Sequence, residues 1–170
     1  LLLTKPLSDV PVVIDADALN ALSITYGWEQ HLVVDAVLTP HPGEMGRLLA
    51  INVQAVQEDR IAAAVTGSQR WRQVVVLKGA HTIVAAPDGR VAVSPFANPA
   101  LGSAGTGDVL AGIIGALLAQ GLACFAAAVV GVYLHGLAGE RWRADNGDAG
   151  LLASDLLPLL PRVAQEVRRT

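Results

Sequence analysis

An α/β fold with a mostly parallel sheet and one inserted β-hairpin is predicted by three observations. Short apolar runs that end in polar motifs alternate with longer segments of helical spacing, the pattern of a layered α/β domain. The chain is 52% hydrophobic but only 4% aromatic, with Ala, Val and Leu prominent, which suits parallel strands buried on both faces. Its 170 residues are enough for one domain, residues 1–170, with a substantial core.

The elements follow in order. Val10 to Ile14 is a short apolar run and the first buried strand; it delivers Asp15-Ala16-Asp17-Ala18-Leu19-Asn20 into a loop. Val33 to Leu38 is the second, ending in Thr39-Pro40-His41-Pro42-Gly43-Glu44. The two prolines forbid helix until Gly43, and Glu44 to Ala50 can then form one. Glu58 to Trp71 has the length and spacing of an amphipathic helix. Val74 to Leu77 is the third buried strand and ends in Lys78-Gly79-Ala80-His81-Thr82. Ile83 to Ala86 and Val91 to Val93 flank Pro87-Asp88-Gly89-Arg90, a hairpin signature. Helices are expected from about Asp108 to Ala119 and from Ala123 to Gly139. A polar connection over Arg141 to Gly150 and a last helix capped by Ser154 complete the chain.

Composition excludes several classes. The net charge of −3 leaves no electrostatic footprint for nucleic acid. One cysteine, Cys124, set among alanines and valines, cannot build a disulfide framework or a zinc pattern, so a buried thiol in a reducing cytoplasm is expected. The opening residues carry no charged segment of a secretory leader. Val109 to Gly139 contains no Asp, Glu, Lys or Arg, yet Gln120-Gly121 divides it, so two short buried helices are expected rather than a membrane span. Repeats and low-complexity linkers are absent from the sequence.

The stretch Asn98-Pro99-Ala100-Leu101-Gly102-Ser103-Ala104-Gly105-Thr106-Gly107-Asp108 carries the most chemistry. A loop of small residues opening a helix leaves N–H groups unpaired at the positive end of the helix dipole, an anion site. Glycine lets the backbone approach a phosphate with no side chain between. Asp108 in the first turn stays ionised there and can take a proton from a hydroxyl. These parts suit phosphoryl transfer to an alcohol. The alternative is a capped helix with a tight glycine turn and no ligand. No Gly-Lys-Ser/Thr follows, so this is not a Walker loop, and the strand does not run directly into the glycines as in a dinucleotide fingerprint.

The other motifs lie at strand ends, where ligands gather in open α/β sheets. Lys78-Gly79 is either a nucleotide contact or a solvated lysine before a turn. His41 between prolines is held in one place, which suits a substrate hydrogen bond. Glu44 either stabilises its helix's first turn or helps to hold magnesium, which is typically bound through one or two carboxylates beside phosphates. Asp15 and Asp17 either cap a helix or order the polar edge of a pocket; Asn20 bonds a ligand or a turn. His31, His81 and His135 show no metal-ligand spacing, and His135, on an apolar helix, reads as a core histidine. No nucleophile elbow is present.

Taken together, the motifs Asp15 to Asn20, Thr39 to Glu44, Lys78 to Thr82 and Gly105 to Asp108 resemble those of the ADP/ATP-dependent NAD(P)H-hydrate dehydratases of the ribokinase-like superfamily. The resemblance implies a ribokinase-like three-layer α/β/α fold, of which this chain is the C-terminal part. It further implies magnesium, ADP or ATP as phosphoryl donor, and repair of hydrated NADH or NADPH by phosphorylation of the hydrate hydroxyl and loss of phosphate. Asp108 would be the base and would face the hydrate with His41 and Asn20. Lys78, Gly79, Ala80, His81, Thr82 and Gly107 would hold the nucleotide; Gly105, Thr106 and Gly107 would form the anion hole; Glu44 would organise magnesium. A homo-oligomer and a link to a hydrate epimerase are also implied. Ala97, Ala100 and Ala104 stand where the family usually has glycine. The alternatives are another ribokinase-like kinase, acting on a vitamin precursor, and a nucleotide-binding fragment without turnover.

Overall fold

The structure, a computed structural model, describes residues 9–169. Five strands, β1 (Val12–Ile14), β2 (Ala36–Leu38), β3 (Val74–Leu77), β4 (Ile83–Ala85) and β5 (Val91–Val93), form one sheet in the order 1-2-3-4-5. The first three are parallel and the β4–β5 hairpin adds antiparallel to β3. Alternation along the strands fills two cores. Val75 and Leu77 face a layer containing Met45, Val56, Ala64 and Trp71, while Val74 and Val76 face Leu110, Ile114, Ala128 and Val132. Valine-rich runs buried on both faces account for the uninterrupted apolar sequence of β3.

On one face lie α1 (Asp17–Ser23), α2 (Trp28–His31), α3 (Pro42–Leu49), α4 (Val53–Glu58) and α5 (Arg60–Trp71). On the other lie α6 (Thr106–Ala119) and α7 (Cys124–Asn146). The C-terminal elements α8 (Ala153–Leu156) and α9 (Leu160–Val167), with a 3₁₀ turn Leu157–Leu159 between them, pack on α7 in a third apolar cluster with Trp142 and Leu151.

Several expectations are corrected. Asp15 to Asn20 is not a loop: α1 begins at Asp17, immediately after Ala16 at φ 50°. α3 starts at Pro42, because proline is tolerated in the first turn, where no N–H partner is needed. The helix expected from Glu58 to Trp71 is α5, which starts two residues later because Asp59 Oδ1 accepts from Ala62 N at 2.8 Å; the short α4 before it, started by Asn52 Oδ1 accepting from Ala55 N at 2.7 Å, was not expected. The polar segment after Gly139 continues α7 to Asn146, with Trp142 packed inward and Arg141 paired to Glu166 of α9. Ser154 does not cap: Leu152 N donates to Asp155 Oδ2 at 3.0 Å, and Pro158 and Pro161 break the last helix into pieces. α6 and α7 meet through Gly121 at φ +89°; among the described residues no helix is long and apolar enough to cross a membrane. Cys124 is half-buried rather than buried, and burial together with the Asp35 charge pushes its thiol up.

α7 carries two glycines where the loop before α6 presses on it. A Cβ on Gly136 would lie 2.8 Å from Phe96 Cγ, and one on Gly139 2.8 Å from Leu101 Cγ. Gly136→Val is therefore expected to destabilise the fold by about 1–3 kcal/mol through overpacking. Urea unfolding reads this directly; an unchanged midpoint would contradict the contact.

Candidate active site

Three strand ends meet at one edge of the sheet. Thr39, fully buried, donates its N–H to Ile14 O at 3.1 Å, and Lys78 donates its N–H to Pro40 O at 2.8 Å, so the ends of β1, β2 and β3 are knit together. The Lys78 ammonium then lies 2.7 Å from Asp15 Oδ1 and 3.9 Å from Glu44 Oε2. A Cβ on Gly107 would lie 3.4 Å from Lys78 Nζ and 3.9 Å from Asp15 Oδ2. The first turn of α6 thus lies in contact range of the ammonium and of the Asp15 carboxylate.

The histidine between prolines closes a capping box. His41 Nδ1 accepts from Gly43 N at 3.0 Å and Glu44 N at 3.2 Å, while Glu44 Oε2 accepts from His41 N at 2.7 Å. With Nδ1 accepting, the ring's donor is Nε2, which lies 3.5 Å from Glu44 Oε1 on a side chain about half exposed. Glu44, 5% exposed, thus fills the first of the two roles weighed from the sequence, finishing the turn, and its carboxylate also lies 3.9 Å from the Lys78 ammonium.

The glycine turn is folded by its own threonine. Thr106 Oγ1 donates to Leu101 O at 2.6 Å or Ser103 O at 2.8 Å, and its N–H points to Ser103 O at 3.4 Å. Val109 N closes the first helical bond onto Gly105 O at 3.3 Å. The Gly107 and Asp108 N–H groups between them have no partner among the described residues, as expected for an open helix N-terminus. Gly105 at φ +84° makes the bend. Of the trio Gly105, Thr106 and Gly107, Thr106 spends both its side chain and its N–H on the loop; Gly107 keeps its donor.

A cavity of about 340 Å³ opens beside this turn, lined by Lys78, Gly79, Ala80, Thr82, Thr106 and Gly107 among others. Its apolar wall includes Phe96, Leu101 and Val132. His81, expected with this group, does not line it. Its N–H bonds to Phe96 O at 2.8 Å and its Nδ1 lies 3.1 Å from Ser94 O, which ties the segment to the hairpin's far end. Thr82 Oγ1 is also spent, on Gly79 O at 2.9 Å. Arg60 had no signal in the sequence, and Asn98 stood out only as the first residue of the small-residue stretch. Arg60, at the start of α5, donates to the carbonyls of Ala80, Leu77 and Lys78 and holds the segment after β3 from behind. Asn98, 8% exposed, accepts from Ala100 N at 2.9 Å and leaves Nδ2 without a partner at the cavity wall.

Asp108 lies outside that cavity. It is exposed in the first turn of α6, at the end of an apolar groove between α6 and α9, and its carboxylate has no partner among the described residues. Asn20 Oδ1 accepts from Arg47 Nη2 at 2.8 Å, which fixes α1 to α3. Among the described residues no three His, Cys, Asp or Glu side chains form a metal cage. Magnesium beside nucleotide phosphates does not need one, being held by one or two carboxylates and waters; Asp15 and Glu44, converging on Lys78, fit that donor set.

His135 is the core histidine expected from the sequence. It is 9% exposed, and its Nε2 lies 3.0 Å from Thr106 O, so the ring donates from Nε2. Burial pushes the imidazole down to about 4, partly opposed by that bond. The folded state therefore prefers the neutral ring, and the unfolded state takes up more protons between about pH 6.5 and 4. Stability present above pH 6.5 is lost as pH falls, by about 2 kcal/mol between pH 7 and 5. Urea unfolding of wild type and His135→Leu at both pH values checks this: the variant should lose that slope, and an equal slope in both would contradict it.

The profile of the NAD(P)H-hydrate dehydratase family matches residues 2–162. A bifunctional NAD(P)H-hydrate repair enzyme of Moorella thermoacetica is 46% identical over 165 residues, covering 95% of this chain and 31% of the relative. An ADP-dependent (S)-NAD(P)H-hydrate dehydratase of Neisseria meningitidis is 47% identical over 155 residues, 89% of this chain and 52% of the relative. The crystal structure of the Bacillus subtilis ADP/ATP-dependent NAD(P)H-hydrate dehydratase, co-crystallised with ATP and Mg²⁺ and soaked with CoA, superposes with TM-score 0.86 at 37% identity. That match covers 97% of this chain and 58% of the Bacillus chain. The chain thus spans about a third to about three fifths of these relatives, and its fold is of the ribokinase-like α/β class.

Proposed function

This chain belongs to the NAD(P)H-hydrate dehydratase family, and we propose from that premise that it carries the catalytic edge of an ADP- or ATP-dependent (S)-NAD(P)H-hydrate dehydratase. The hydrate hydroxyl attacks the terminal phosphorus of the nucleotide, its proton passes to Asp108, and AMP leaves when ADP is the donor. The phosphate ester then loses inorganic phosphate from one ring carbon and a proton from the neighbouring ring carbon, which restores the dihydronicotinamide double bond. The observation that carries this reading is the Lys78 ammonium, set against Gly107 at an open helix N-terminus.

Each residue has a task in keeping with its surroundings. Lys78 and the free N–H groups of Gly107 and Asp108 neutralise charge on the transferring phosphoryl, the largest contribution such sites make. The Lys78 to Thr82 segment, braced by Arg60, cradles the nucleotide through its backbone, which explains why the His81 and Thr82 side chains are free to hold the loop. His41 presents Nε2–H to the hydrate. Asp15 and Glu44 would hold Mg²⁺, which when bound supplies further positive charge to the phosphates.

The test is stoichiometric. With hydrated NADH, ADP and Mg²⁺, the chain should form AMP, inorganic phosphate and NADH in equal amounts, and no AMP when the hydrate is omitted. AMP formed without hydrate would instead indicate a nucleotidase.

A further inference from the structure

His135 has no task in the mechanism above, yet it bonds to the turn that binds the anion. The atom it touches is Thr106 O, and that carbonyl belongs to the same peptide group as the Gly107 N–H. A peptide group is planar and its C=O and N–H are conjugated. A donor placed on the carbonyl therefore does two things to the amide on the other side. It fixes the plane, and so the direction in which the N–H points; and it draws electron density towards oxygen, which strengthens the N–H as a donor. Chains of hydrogen bonds reinforce one another in this way in a buried, low-dielectric setting.

We propose that His135 is the positioning residue of the anion hole, acting through the Thr106–Gly107 peptide. The relay runs from Nε2–H of His135 to the Thr106 carbonyl and from the Gly107 N–H to a phosphate oxygen of an adenine nucleotide. Three features of the structure support it. His135 lines the same cavity as Gly107 and is buried, so its bond is shielded from water. The carbonyl accepts only, so Nε2 holds the proton that points at it. The ring cannot shift away easily: one residue on, Gly136 is closed against Phe96, and Phe96 in turn lies 5.3 Å from Tyr133, centroid to centroid. Thr106 Oγ1, bonded to the loop carbonyls, holds the same residue from its other side.

The inference rests on the nucleotide reading of the site and can fail without it. His135→Leu keeps the volume and removes the donor; His135→Gln restores an N–H at similar reach. Folding of both variants is confirmed first by their thermal unfolding. The amide proton of Gly107 is then followed by NMR in chain carrying ¹⁵N-glycine, during titration with ADP and Mg²⁺. In wild type it moves downfield on binding. In His135→Leu it should move about half as far or less, and turnover should fall about fivefold to tenfold with little change in the nucleotide KM. In His135→Gln both should largely return. Equal Gly107 shifts in wild type and His135→Leu would overturn the role of His135 and leave the nucleotide reading intact. A Gly107 amide unmoved by ADP in wild type would overturn both.

Discussion

Asp108→Asn lowers turnover by about a thousandfold, within the range that a positioned general base contributes, while nucleotide binding stays within about threefold. The expectation follows from position. The carboxylate has no ion pair or hydrogen bond among the described residues, so the change breaks no fold contact. Asp108 sits in the first turn of α6, beside unpaired N–H groups. Asparagine retains the shape and cannot accept the proton. Steady-state rates with hydrated NADH, alongside calorimetric titration of ADP, separate the two effects. A variant that turns over at the wild-type rate would remove Asp108 from the chemistry; one that loses ADP binding would make it a nucleotide contact.

Lys78→Met acts on the other half of the reaction. The ammonium is 20% exposed and held between Asp15 and Glu44, beside the Gly107 turn. Losing a charge-assisted bond to phosphate costs about 1.5–3 kcal/mol, about tenfold to a hundredfold in nucleotide affinity. The two carboxylates left behind also repel the phosphates, which places the expectation at the upper end. Wild-type affinity for ADP in Lys78→Met would show that the nucleotide binds elsewhere. Lys78→Arg is no full rescue, because a planar guanidinium fork replaces the compact ammonium held between Asp15 and Glu44.

The strands were legible because their signal is local. Short runs of four to six residues, each followed by a polar motif, placed β1, β2 and β3, although Val10 and Val33 at the start of two of them are exposed and lie outside the strands; the Pro87-Asp88-Gly89-Arg90 turn placed the hairpin. Helix ends were less so. Asp59 falls inside the run of helical spacing that opens at Glu58, and only its side-chain bond to Ala62 N shows that it caps α5 instead. Arg141 to Asn146 looked like a connection because its charged residues conceal the inward-facing Trp142 and the pairing with α9. At the site, the motifs told which residues gather but not how each is spent. Thr106, His81 and Asn20 carry expected names, yet their side chains bond to Leu101, Ser94 and Arg47. Arg60 and His135 reach the site from helices far away in sequence, Arg60 through the carbonyls of Leu77 to Ala80 and His135 through that of Thr106. No spacing rule registers a side chain that supports a backbone from behind.

Reduced-nicotinamide absorbance, followed in hydrated NADH after adding this chain with Mg²⁺ and ADP, tests the central claim most directly. Recovery of absorbance that depends on ADP or ATP, and that is lost in Asp108→Asn, is the predicted result. Binding of ADP with the Gly107 amide shift, but no recovery from the chain or from the same chain extended at its N-terminus to the length of the Bacillus relative, would contradict it.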